Sequence, residues 1–477
     1  VEYINANLAL NSGLGIDLSF LDWAVFCGIL MMTFAFIIIG QAFFLKRRAK
    51  VSNSADYILM GRTLTLPLFV ITLVTSWYGG IFGVTQISYS QGVYNFVTQG
   101  FLWYLAYITF AITIARKINK SKVLTMADKI KQIYGNRSGK MAAVLILLKG
   151  LPVAYAIGIG LVLKNIFGIS LNAGIITGCC FVICYCSLGG LRAVVLSDIV
   201  QFAVMFAAVI IVVVASFYKF GGLDFLHANL PTSYFSPKGT RNMSDVMIWL
   251  FIAFSSTIVC PVFYQRCLAA TSQKVAFHGI LLSTLFWFIF DICTTLGAMY
   301  AKAVMPDLDP VDAYLVYAVD ILPIGFKGLF LAGIVATVLS TLDAFTFVTG
   351  TIVSYDLMPE KWRELSSVRL LSIVVIGLVT MMVSILFEGS VEDVWLVIEG
   401  YSGALLAMPI LWSYFVSSKG SDWQFILSCA ASLTVMIAYD FLCQDKQIKS
   451  FYLGGGTSLL VLSLFYLTSY RKRTNEE

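Results

Sequence analysis

Charge is scarce in this chain: Asp, Glu, Lys and Arg make up 12% of its 477 residues, while 59% are hydrophobic. A soluble domain carries about a quarter charged residues. Together with a mean hydropathy of +0.86, this shortage excludes an ordinary soluble enzyme. Histidine is rarer still, with two in the whole chain. The ten cysteines show no disulfide spacing. Cys179, Cys180, Cys184 and Cys186 crowd one apolar stretch with no histidine nearby, so zinc binding is not expected, and small residues in a helix interface are the better reading. A long polar tract, a low-complexity linker and a heptad run are all missing. The first 20 residues have neither the basic start nor the apolar core of a cleavable signal peptide. No nucleophile–base set or metal-ligand cluster is apparent, which argues against a membrane enzyme.

What the chain has in abundance is long apolar blocks separated by short charged or Gly/Pro-containing stretches, the pattern of bilayer-spanning helices. At about 20 residues per span, the sequence predicts an all-α membrane protein of about thirteen transmembrane helices. They lie near 23–45, 64–91, 96–117, 140–166, 170–188, 194–218, 245–268, 275–303, 326–356, 366–387, 394–417, 422–443 and 452–470. The net charge of +6 sits in short loops, as topology determinants do, so no nucleic-acid partner is expected. Basic loops (Lys46, Arg47, Arg48 and Lys50; Arg116 through Lys140; Arg266 with Lys274; Lys361 with Arg363; Arg471 to Arg473) alternate with acidic or sparse ones. The acidic set holds Asp307, Asp309 and Asp312, then Glu388, Glu392 and Asp393. Basic loops should face the cytoplasm, which puts the N-terminus (1–22) outside and the C-terminus inside a cell membrane. The stretch LTMADKIKQIYG (124–135) is too polar to span and reads as a short amphipathic helix at the inner face.

Two spans carry residues unsuited to a continuous helix. The second holds SWYGGIFG (76–83), and the seventh holds SSTIVCP (255–261). Glycine weakens a helix and proline removes a backbone donor, so breaks here free carbonyls and amides that must line a cavity or coordinate an ion. Glycines that merely allow close packing are the plainer alternative. The two spans are five apart, the spacing of the first elements of two five-helix halves in an inverted-repeat transporter.

Several motifs then resemble one family. LDWAVF (21–26) and SADYILMGRTL (54–64), GGLRAVVLSDIVQF (189–202), FYQRCLAATS (263–272) and FLAGIVATVLSTLDAF (330–345) are similar, in order, to the sodium/solute symporters, which include sodium/glucose and sodium/proline transporters. The resemblance runs from residue 21 to about residue 356. It implies a five-plus-five inverted-repeat core: an extra first helix at 23–45, repeats over 64–218 and 245–417, and two terminal helices within 422–470. It also implies a secondary active symporter that couples inward sodium movement to uptake of a small solute, with Na+ as its ion. No obligate protein partner is evident.

The resemblance carries over a sodium site made of the hydroxyls of Ser340 and Thr341, the carbonyl of Thr337, and the carbonyls of Leu73 and Ser76 on the broken second span. A dehydrated hard cation needs about five or six oxygens, which hydroxyls and unpaired carbonyls supply without excess charge. Serine and threonine in membrane helices also commonly bond the carbonyl one turn back. Asp198 and Asp343 are carboxylates within spans, where each costs at least about 2.5 kcal/mol and needs a partner. They would share either a second cation or a proton; alternatively Asp198 pairs with Arg192 or caps backbone amides.

Substrate residues are fewer. Trp77, Tyr78 and Phe82 would wall a pocket beside the breaks, although an aromatic stripe is more often core. Gln99 matches the position of a sugar-binding acid in glucose transporters, while Gly80 and Cys260 replace their polar ligands, a departure that speaks against a sugar. Lys149 lies about ten residues, roughly 15 Å, into the fourth span, and Asp291 is similarly deep in the eighth. Both charges facing one pocket would suit an amino acid; Lys149 alone would suit a carboxylate. They would otherwise neutralise each other or snorkel. Glu399 is expected nearer the outer end of its span, in contact with water. The competing class is a sensor domain of the same fold, for which the closing RKRTNEE (471–477) is expected to leave no kinase. A channel is disfavoured by broken helices with buried acids.

Overall fold

A computed structural model describes residues 18–47, 53–186, 189–387, 394–416, 420–443 and 449–474. Arg48, Lys50, Glu388, Glu392 and Asp393 lie outside the described residues, as does the start of the expected external N-terminus. The described residues form helices throughout, with a single isolated backbone bridge between Leu64 and Ala270. Among the described residues, eleven helices are long and apolar enough to cross a bilayer, twelve when a bent pair is counted as one span. The expected fifth segment, 170–188, forms the apolar helix Leu171–Cys186, only 16 residues long. The count of thirteen is therefore reached only by including a helix shorter than the usual span.

Eleven elements position the site. The first span is α1 (Phe20–Arg47). The second is broken as expected: α2 (Leu66–Thr75) ends where the chain passes through a short 3₁₀ turn, Tyr78–Gly80, into α3 (Ile81–Gln91). The fourth is broken as well, into α4 (Asn136–Gly150) and α5 (Val153–Phe167). One span is expected over 140–166; the break within it comes from Pro152, which lacks the donor a helix needs there and biases Leu151 to extended backbone. Next comes α6 (Gly190–Phe220). The seventh span bends by 43° between α7 (Met243–Val259) and α8 (Pro261–Ala269). The eighth span is α9 (Gln273–Val304), the ninth α10 (Phe326–Thr351), and the eleventh contains α11 (Gly400–Phe415).

The distribution of burial is that of a bilayer protein. Large apolar side chains such as Ile39, Val214, Leu378 and Leu460 face outward, while Thr and Ser hydroxyls, Asp198 and Arg266 are buried. The most apolar stretch of the ninth span is wholly buried, making α10 the central post of the bundle. The second and seventh spans are clasped at one end: Leu64 donates to the carbonyl of Ala269 and accepts from Thr271, each at 3.0 Å. The polar stretch 124–135 forms the helix Met126–Tyr134, capped by Thr125 and burying Met126, Ile130 and Tyr134 on one face.

Candidate functional site

The break in the second span lies against α10. The hydroxyls of Ser340 and Thr341 both reach the carbonyl of Thr75, at 2.9 and 3.0 Å. They also lie 3.1 and 3.4 Å from the carbonyl of Thr337. The Gly79 amide donates to the Thr341 hydroxyl at 2.8 Å. A side chain on Gly79 would bring a Cβ within 2.5 Å of Thr341 Cβ, so only glycine permits this approach. Four uncharged oxygens thus converge from two helices, and all of these residues are fully or nearly fully buried. That donor set suits a hard monovalent cation. The carbonyl reached is that of Thr75, between the expected Leu73 and Ser76. Ser76 turns its own hydroxyl to the Thr72 carbonyl.

Beside this cluster lies a group the sequence reading named only as a loop charge. Arg266, on α8, is fully buried. It donates to Ser76 Oγ at 2.9 Å, Thr72 Oγ1 at 3.1 Å and Gln265 Oε1 at 2.6 Å. Thr72 in turn donates to Asp198 at 2.5 Å, so Asp198 and Arg266 are joined through one hydroxyl. Arg192, the alternative partner for Asp198, instead forms a forked pair with Asp56. Asp343 follows Ser340 by about one turn on α10 and is fully buried.

A cavity of about 650 Å3, counting its open mouth, lies beside the breaks. Of the expected residues, Trp77, Tyr78, Gln99 and Asp291 line it. Phe82 and Cys260 are buried but do not form its wall. Lys149 and Asp291 do not neutralise each other. The Lys149 ammonium pairs with Glu399, whose carboxylate lines the cavity and also accepts from Ser256. The break after Gly150 explains this: Lys149 stands in the last turn of α4, where the helix dipole favours a cation, and faces the eleventh span. Glu399 is correspondingly not a wet outer residue, with its side chain 15% exposed. Asp291 accepts instead from the hydroxyls of Tyr78 and Tyr104.

Residues missed by sequence reasoning include Trp103, Tyr107, Trp287 and Trp395, which complete an aromatic wall. Trp395 packs where a Cβ on Gly80 would sit, its ring carbon 2.1 Å from that position. The available signal was Trp and Tyr recurring on four separate spans, but nothing in a single sequence says which of them share a cavity.

The family described as "Sodium:solute symporter family" matches residues 57–420. Among curated proteins, the sodium/pantothenate symporter of Haemophilus influenzae is 25% identical over 410 residues, covering 80% of this chain and 83% of that one. Sodium-coupled monocarboxylate transporter 2 of Mus musculus is 25% identical over 385 residues, covering 72% of this chain and 59% of the mouse protein. The fold is shared with a Na+-coupled sialic acid symporter solved in a substrate-bound outward-open state, at a TM-score of 0.74, 16% identity, and coverage of 94% of this chain and 97% of that one. These relatives are transporters, not enzymes. With its family motifs, broken spans and ion-sized cluster of oxygens in one bundle, the chain belongs to the sodium:solute symporter family.

Proposed function

We propose that this sodium-coupled symporter imports a small organic solute by alternating access, binding sodium at the hydroxyls of Ser340 and Thr341 and the carbonyls of Thr75 and Thr337. The observation that carries this reading is the convergence of both hydroxyls on the Thr75 carbonyl at the break. Leu73 and Ser76 flank that carbonyl and remain in the proposed shell. Segments 64–218 and 245–417 would be the two repeats, with the N-terminus outside and the C-terminus in the cytoplasm of a cell membrane, as the Lys/Arg loops suggest. Asp198 and Asp343 are proposed as a second cation or proton site, with Arg266 setting the charge that such a site must balance.

An amino acid is the favoured solute. Lys149 is already matched by Glu399, whereas among the described residues Asp291 has tyrosine partners and no cation. A carboxylate is the second reading, favoured by the pantothenate and monocarboxylate named for the relatives. Sodium-gradient-driven uptake into proteoliposomes, screened over amino acids, carboxylates and sugars, tests both. Accumulation that needs an inward sodium gradient supports the reading; uptake indifferent to sodium contradicts it.

A further inference from the structure

We infer that Asp291 and the aromatic wall around it form a subsite for a positively charged nitrogen of the solute, an alkylammonium head. The inference rests on the solute cavity proposed above and names the chemistry that it selects. Asp291 is 3% exposed and lies near the middle of α9. Among the described residues, the ion pairs do not include it. The cavity's other acid, Glu399, has Lys149; Asp291 has only neutral phenols, Tyr78 and Tyr104. A carboxylate this deep in a bilayer protein needs a counter-charge, and the open side of Asp291 is the cavity.

The wall is suited to the same charge. Trp77, Trp103, Tyr107 and Trp287 pack mostly edge to face or tilted, with ring centroids 4.5 to 6.3 Å apart. All four line the cavity. Aromatic faces attract ammonium groups and tolerate a methylated nitrogen that cannot donate hydrogen bonds. They offer nothing comparable to an anion. Two further groups give the solute an orientation. Among the described residues, Gln99 Nε2 and Trp103 Nε1 are buried donors with no hydrogen-bond partner, on residues that line the cavity one turn apart. A solute with its cation at Asp291 would leave a carbonyl, hydroxyl or carboxylate acceptor for these N–H groups, satisfying donors that are otherwise costly to bury.

Three probes that share a compact, methyl-bearing tetrahedral centre separate the effect of charge: tetramethylammonium (cationic), tert-butanol (neutral) and the slightly larger pivalate (anionic). Their binding to the purified 477-residue chain in sodium buffer is read from tryptophan fluorescence, with sodium titrated alone as a second readout. The expected result is tetramethylammonium binding about ten-fold or more tighter than tert-butanol, with pivalate weakest. Asp291→Asn should abolish the cation preference and Asp291→Glu should restore part of it, while both keep the response to sodium. Trp103→Leu, which leaves the carboxylate in place, should weaken the cation about ten-fold. Equal binding of the three probes, a preference for pivalate, or a cation preference that survives Asp291→Asn would overturn the inference. A preference absent at neutral pH that appears only in alkaline buffer would mean that Asp291 holds a proton, and would overturn it too. Loss of the sodium response in the wild-type chain would instead refute the sodium reading beneath it.

Discussion

Lys149 and Glu399 form a buried ion pair between the last turn of α4 and the residue preceding α11, at the edge of the solute cavity. Removing one partner of such a pair strands the other charge, at a cost of about 3–5 kcal/mol. Lys149→Met should therefore lower the melting midpoint in detergent and the yield of folded protein. Glu399→Gln added to it should recover much of both, because neither charge is then alone. Asp291→Asn added to Lys149→Met should recover nothing. A stable Lys149→Met protein, or rescue by the Asp291 variant, would contradict this pairing.

The residue just inside the first helix caps the start of α10 through one carboxylate. Asp22 accepts the Gly325 amide at 2.7 Å and the Gly328 amide at 3.3 Å, two donors at the start of α10, and is itself tied to Ser19. Capping bonds of this kind contribute about 0.5–2 kcal/mol. Asp22→Ala should destabilise the protein by about that amount in thermal melts, and Asp22→Asn, which keeps an acceptor, by less. An unchanged midpoint in Asp22→Ala would show that the cap does not secure α10.

The sequence exposed the architecture because bilayer spans and their interruptions are written locally. Gly79, Gly80 and Pro261 mark two breaks that the structure contains, and the helix at 126–134 follows from its own polar pattern. The third break is also signalled, by Pro152, but one proline inside a long apolar run does not by itself distinguish a kinked span from a broken one. The partners of buried charges were not legible. Lys149, Asp291, Arg266 and Glu399 are each conspicuous alone, but which cation meets which anion depends on helix rotation and packing between distant spans. The same holds for the aromatic wall, whose rings come from several helices. Arg266 was misjudged for a further reason: flanked by Lys274, it counted as a loop charge, whereas the bend after Cys260 carries it inward.

Asp198, Thr72 and Arg266 should behave as one unit. Arg266→Met leaves Asp198 buried without its guanidinium and should destabilise by about 3 kcal/mol or more. Asp198→Asn in the same chain should restore part of that loss, a coupling that a double-mutant cycle in thermal stability measures. Asp343→Asn tests the neighbouring carboxylate: if it serves a second cation or a proton, the charge moved per solute or the pH profile of uptake should change. Strictly additive effects of Arg266→Met and Asp198→Asn would contradict the unit.

Sodium activation of uptake in the Ser340→Ala, Thr341→Ala double variant is the most direct test of the proposed sodium site. The substitutions remove two of about five oxygens expected around the ion and leave the Thr75 and Thr337 carbonyls in place. Sodium-driven accumulation in proteoliposomes should collapse, and half-activation should move to much higher sodium, while the purified variant keeps a cooperative melt. A folded double variant with the sodium activation of the parent chain would contradict the account.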